Sequence, residues 1–325
     1  MQLLLAYDPS DPSSEGNCKS GKYPFKKDRI LITDPAKAND NTVYDPSLYD
    51  FTMDYGYGYE FNDDDSITIK LKKNLTNIND ETKNPEGMGT RLSTTRFIKN
   101  GRISAVYESV NRVSVNTAFI TMSKDFDEID NEVAPQDNKI DIYTTNVFAK
   151  GANETLNNTQ NNAYGYSLAV DTGVNVEKPR LYTIDWNRDR IVWEFEGQHK
   201  RTYNKGQPAL KGTPEFPENP KLWYPISPSR VQFSIWDTAG ANWTGGKALD
   251  WGSDKIIKAR FYYYQVQCYN DENEPVNQWP LDQSEIEFAK PPQSKNDNNR
   301  EEPNTNGALA NSVFTLLVLL FSIIN

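Results

Sequence analysis

The sequence predicts an all-β protein, a large antiparallel β-sandwich, on three observations. Ser66-Ile67-Thr68-Ile69-Lys70-Leu71 alternates polar and apolar residues, as a half-buried strand does. Runs rich in aromatic and β-branched residues then recur as far as Cys268. No sustained 3.6-residue apolar period, internal repeat or phosphate-binding glycine-rich loop competes with them.

Taken in order, strands are expected over Ser66–Leu71, Arg102–Tyr107, Ala118–Met122, Arg190–Glu196 and Arg230–Trp236, with a long one over Lys255–Cys268. Asn62-Asp63-Asp64-Asp65 precedes the first of them. Its three acids have the makings of a calcium loop, but a solvated hairpin turn is the simpler reading. The chain has 325 residues, enough for one large core or two smaller ones. Sandwiches run past ~200 residues as one domain, so residues 42–285 are read as a single sandwich.

The flanks differ in texture. Residues 1–41 read as a loop-rich segment and a candidate truncated signal region. Leu3-Leu4-Leu5-Ala6 falls short of the ~7–15 apolar residues of a secretory signal. Residues 286–311 are Lys, Asn, Asp, Glu and Pro, a disordered stalk by composition. Residues 312–325 are apolar, but shorter than the ~20 residues of a spanning helix. They follow small residues, the shape of a GPI-attachment signal with Asn306 as candidate attachment point. A tail anchor or a frayed apolar end is the alternative.

Charge and composition exclude several classes. The net charge is −10, with no clustered Lys or Arg to displace counterions from phosphate. Nucleic acid is therefore not an expected partner, and an acidic surface holds anionic lipid poorly. The one histidine, His199, has no G-x-S-x-G elbow to serve and reads as a turn residue. Cys18 and Cys268 are too few for a cysteine-rich zinc site. They are a candidate disulfide joining the N-terminal segment to a late strand, two unpaired thiols being the alternative. No metal and no cofactor are expected. Sequons at Asn74, Asn153, Asn157 and Asn242 agree with secretion. Aromatics make up 12% of the chain, with 18 Tyr and 7 Trp. Most suit strand packing, and a few suit stacking on the apolar faces of sugars.

The chemistry-bearing run is Asp127-Glu128-Ile129-Asp130-Asn131-Glu132. Glu128, Asp130 and Glu132 are spaced i, i+2, i+4, so a strand puts all three on one face and Ile129 and Asn131 on the other. Three acids on one face repel, and their proton affinities must split. A retaining glycosidase needs one ionised nucleophile and one protonated acid/base, with carboxyls ~5–5.5 Å apart. Acidic alternation on a solvated strand gives the same spacing. The apolar lead-in Ala118-Phe119-Ile120-Thr121-Met122 argues against mere surface decoration, because charges joined to a buried strand are costly.

With that lead-in, the run resembles the catalytic signature of glycoside hydrolase family 16, in its fungal Crh-type cell-wall transglycosylase branch. Further blocks in order are similar to that pattern: Gly89 to Phe97, Gly101 to Ala105, Thr145 to Gly151, Tyr182 to Trp186, Ile191 to Trp193, Tyr224 to Gln232, Ser234 to Trp236, Asn242 to Gly246, and Asp250-Trp251. The resemblance covers roughly Thr42 to Cys268. It implies a jelly-roll sandwich of two antiparallel sheets with a concave glycan-binding cleft. It also implies Glu128 as nucleophile, Asp130 as helper and Glu132 as acid/base. Trp236 and Trp243 would be sugar platforms, with Arg96, Asn146 and Gln232 as further substrate-binding residues, while Trp186 and Trp193 belong to the core. Asn131 stands where the family usually has an aromatic, and Val133 where Trp is common. The implied activity is retaining transfer of chitin to β-glucan, by a monomer in the cell wall or on the outer face of the plasma membrane, anchored or secreted. An endo-β-glucanase and a catalytically inactive glycan-binding wall protein are the alternatives.

Overall fold

The computed structural model describes residues 16–33, 44–78, 85–135, 142–149, 168–171, 174–205, 224–238, 241, 244 and 246–280. Asn153, Asn157, Asn242, Trp243, Asn306 and the predicted stalk and tail lie outside the described residues.

Among the described residues there are twenty strands and one 3-10 turn (Lys27–Arg29). The strands are β1 (Cys18–Lys19), β2 (Gly21–Pro24), β3 (Ile30–Ile32), β4 (Phe51–Gly56), β5 (Tyr59–Phe61), β6 (Ile67–Ile78) and β7 (Pro85–Met88). Then come β8 (Thr90–Ile98), β9 (Gly101–Glu108), β10 (Val115–Ser123), β11 (Asp127–Val133), β12 (Ile142–Ala149) and β13 (Leu168–Asp171). The last are β14 (Arg180–Trp186), β15 (Arg190–Phe195), β16 (Gln198–Asn204), β17 (Ser229–Asp237), β18 (Ile256–Tyr269), β19 (Pro275–Val276) and β20 (Gln278–Trp279).

They form a jelly-roll sandwich. One sheet has the order β13-β12-β11-β10-β17-β8-β4-β3. The other runs β16-β15-β14-β9-β18-β6-β5, with β2 and β19 paired to β18 and β7 to β6, and β1 and β20 make a small ladder of their own. Pairing is antiparallel except at β3–β4, which is parallel. Each expected strand is present, and the pleat explains why these runs form strands. In β9 Gly101, Ile103, Ala105 and Tyr107 point inward, while Arg102, Ser104, Val106 and Glu108 alternate outward. Aromatic residues fill the space between the sheets. The Phe25 and Phe51 rings lie 4.7 Å apart, and Tyr107 stacks on Tyr182 at 4.2 Å. Gly89 leads into β8 where only a glycine fits, because a Cβ there would come within 2.2 Å of the Ile235 carbonyl oxygen.

The N-terminal segment corrects the expectation of loop. Residues 16–33 supply β1, β2 and β3, and Phe25 is buried in the common core. The sequence there is polar because these short strands pair by backbone at the sandwich margin, Tyr23 opposite Tyr264 and Cys18 opposite Trp279. Cys18 is bridged to Cys268, with Cα atoms 5.9 Å apart. The acidic turn is a hairpin turn. Asp64 accepts bonds from the Ser66 amide and hydroxyl and from Arg260.

Candidate active site

The three acids lie on β11, third from one edge of the eight-stranded sheet. Ile129 and Val133 are buried in the core, so the pleat turns Glu128, Asp130 and Glu132 to the sheet's outer face. Glu128 and Glu132 are partly exposed, and Asp130 between them is 2% exposed. The hairpin leading in is tightly built. The Ser123 hydroxyl accepts from the Asp125 and Asp127 amides, and Phe126 takes the left-handed conformation at φ 64°. The Asp127 carboxylate is buried and accepts from the Ile226 and Ser227 amides at 2.9 and 3.0 Å. Asp127 therefore pins the start of β11 to the chain before β17.

Burial lifts the Asp130 carboxyl well above the usual carboxylate range, reinforced by Glu128 and Glu132 and by a hydrogen bond with Glu128. The Glu132 carboxyl is pushed up to about 7, first by burial and then by Glu128, against the Asn116 amide that donates to it. The chemistry follows. A protonated Asp130 gives its hydrogen bond to Glu128, which favours the ionised form of that partner. The Glu132 carboxyl titrates about neutral pH. One strand thus carries a buried Asp130 that holds its proton and, two residues on, a carboxyl that exchanges its proton near pH 7.

Register decides which of the other expected residues join them. Asn146 on β12 pairs directly with Asp130. Ile120 on β10 is Asp130's partner on the other side, and Gln232 on β17 follows in the same row. Trp236 pairs with Asn116, the residue bonded to Glu132. Asn146, Gln232 and Trp236 thus share the acids' face. Arg96 is placed elsewhere. It donates to the Asn17 carbonyl at 3.1 Å and lines a small pocket with Cys18, Tyr23, Asp50, Phe97 and Tyr264. Asn74 sits near the end of β6, where its side chain accepts from the Thr76 amide and hydroxyl. His199 is exposed at the start of β16, against Thr202.

Sequence reasoning missed two features. Asn116 has no motif of its own, and only strand register brings it to Glu132. A polar cluster lies on the same sheet around the buried Asp54, which accepts from Thr52 at 2.6 Å, from Arg91 at 3.1 Å and from the Ser93 hydroxyl. Arg230 lies 3.8 Å from Asp54 and donates to Thr52 and to the Thr94 carbonyl. On the core side of β11, Asn131 is fully buried. Neither polar atom of its side chain has a hydrogen-bond partner among the described residues. That is a costly choice at a position where an aromatic would simply fill the core.

A two-sheet sandwich with three acids in line on one outer sheet face is the arrangement of a glycoside hydrolase. Residues 48–253 match the model of Glycosyl hydrolases family 16, and the chain belongs to that family. Crh-like protein 2 of Aspergillus fumigatus is 28% identical over 280 residues, covering 82% of this chain and 55% of that protein. Crh-like protein UTR2 of Candida albicans is 29% identical over 214 residues, covering 63% and 38%. The chain thus spans about half the length, or less, of these curated relatives. Among solved structures, a Crh5 transglycosylase in complex with NAG shares the fold at a TM-score of 0.54. It is 16% identical, with 82% of this chain and 89% of that one covered.

Proposed function

We propose that this chain is a retaining cell-wall transglycosylase that moves chitin chains onto β-glucan. Glu128 attacks the anomeric carbon while Glu132 protonates the departing oxygen. The glycosyl bond to Glu128 is then broken by an acceptor hydroxyl, with Glu132 taking its proton. Asp130 holds Glu128 in place and supplies the hydrogen bond that keeps it ionised. Trp236 offers a sugar platform, and Asn146 and Gln232 offer hydrogen bonds beside the acids. The carrying observation is the placement of the three acids on one strand face, with Asp130 buried and hydrogen-bonded to Glu128 between two partly exposed glutamates. The Crh-like relatives support the substrate class. They also support action in the cell wall, and secretion or an anchor at Asn306 would carry the chain there.

The test is incubation with a chitooligosaccharide donor and a fluorescent β-glucan acceptor, with products separated by size. Labelled product longer than the acceptor supports transfer. Shortened donor without labelled product points to the hydrolase. Neither product would leave a glycan-binding wall protein.

The pH profile is a second check. Glu132 must enter the first step protonated, and its carboxyl sits at about 7. The alkaline limb of activity limited by the first step is therefore expected to fall as pH rises through that value. A kcat/KM profile flat to pH 9 would exclude Glu132 as the acid.

A further inference from the structure

Trp193 and Arg201 stand opposite each other on β15 and β16, in the sheet that does not carry the acids, and both are buried. Neither simply fills space. The Trp193 indole N–H crosses the core and donates to the backbone carbonyl of Asp130 at 2.8 Å. The Arg201 guanidinium lies over the Trp193 ring, 4.7 Å from its centroid. Its Nη1 donates to the Thr145 carbonyl at 2.8 Å and to the Thr145 hydroxyl at 2.6 Å. Thr145 is the cross-strand partner of Asn131. One ring and one guanidinium thus grip two neighbouring strands from behind, directly beneath the acids. Trp186, the other large buried tryptophan of this sheet, makes the contrast. Its Nε1 has no hydrogen-bond partner among the described residues.

The consequence is geometric. Ladder carbonyls point across the sheet toward neighbouring strands. A donor that reaches one from the core draws the backbone inward at that residue. Such a pull at Asp130 would tip the flanking Glu128 and Glu132 toward each other over the outer face. Some such bend is needed, because a straight strand rises ~3.3 Å per residue and these residues are four apart. A retaining pair wants its carboxyls ~5–5.5 Å apart. We infer that Trp193, braced by Arg201, is a positioning residue that bends the catalytic strand and sets the spacing of Glu128 and Glu132. The inference rests on the roles given to those two acids above.

Trp193→Phe keeps a six-membered ring for Arg201 but removes the N–H together with the rest of the indole's five-membered ring, so a loss in melting temperature is expected whatever happens to kcat. The variant is expected to lower kcat by ~10-fold or more, as small misplacements of reacting groups do. KM should stay within about twofold, since substrate contacts are untouched. The alkaline limb should move to lower pH, because a wider gap weakens the repulsion by which Glu128 raises Glu132. The groups facing Glu132 are Glu128 and Asp130 on its own strand and Asn116 on β10. Arg201→Gln should give the same two changes more weakly, and Arg201→Lys should recover part of them. If Trp193→Phe does not fold, the Arg201 variants carry the test. Wild-type kcat and an unmoved limb in whichever variants fold overturn the inference, whatever happens to the melting temperature. Glu128→Gln is run beside them. Turnover by that variant removes the site assignment itself, whereas an inactive Glu128→Gln beside a fully active Trp193→Phe removes only the positioning role.

Discussion

Replacing Glu128 with alanine is expected to cut kcat by at least ~10³-fold, the scale of losses when a nucleophile is deleted. The geometry makes the prediction sharper than a loss of activity. Glu128 is partly exposed on the outer face, hydrogen-bonded to an Asp130 that is 2% exposed. Truncation opens room for a small anion on the side of the sugar where the carboxylate stood. Added azide should then restore cleavage of a donor with a good leaving group, giving a glycosyl azide of inverted configuration. Rescue with retained configuration would place the nucleophile elsewhere. An azide product of inverted configuration from Glu132→Ala, with none from Glu128→Ala, would exchange the two roles.

The second large effect concerns stability. Cys18 and Cys268 are 250 positions apart in sequence, so their bond closes nearly the whole sandwich into a loop. Loop-closure entropy for that length is about 5 kcal/mol, an upper figure because the unfolded chain is not a random coil. A sandwich of this size loses ~2–4 °C per kcal/mol. The Cys18→Ser, Cys268→Ser double variant is expected to melt on the order of 10 °C below the wild type without reductant. The measurement is a thermal melt followed by tryptophan fluorescence, with reduced wild type as the matched control. A double variant melting with the oxidised wild type would show that the bridge adds no constraint. Because β1 and β2 pair with β20 and β18, the first segment to detach should be residues 16–33.

Much of the acidic site was legible because period-two spacing translates directly into a shared face. Glu128, Asp130 and Glu132 needed only the assumption of a strand, and the apolar residues before them supplied it. Asn146, Gln232 and Trp236 share that face, but the family resemblance pointed to them and spacing alone did not. Arg96 shows where such transfer breaks. The β8–β17 register shifts between Arg230 and Gln232, so counting alternate residues along β8 does not carry across the irregularity. Arg96 ends beside Cys18 and Tyr23. Asn116 was invisible for another reason. Its role depends on lying opposite Trp236 and near Glu132, a fact of pairing that no local pattern encodes. Trp193 was read as core, and it is core. That its N–H serves the catalytic strand depends on how two sheets face each other, which hydropathy does not report. The strands at residues 16–33 escaped because polar residues at a sandwich margin satisfy backbone pairing without an apolar signature.

The long separation between β10 and β17 bears on how the molecule is made. Ser114 and Thr238, which close one end of that strand pair, are 124 positions apart. During synthesis the strand with Ala118 to Met122 leaves the ribosome long before its partner exists, with one hydrogen-bonding edge bare. Non-local pairings of this kind are slow to form, and unpaired apolar edges invite association with other chains. The face that carries the acids therefore cannot be assembled piecemeal, and any chain cut before Asp237 is expected to be inactive and prone to aggregate.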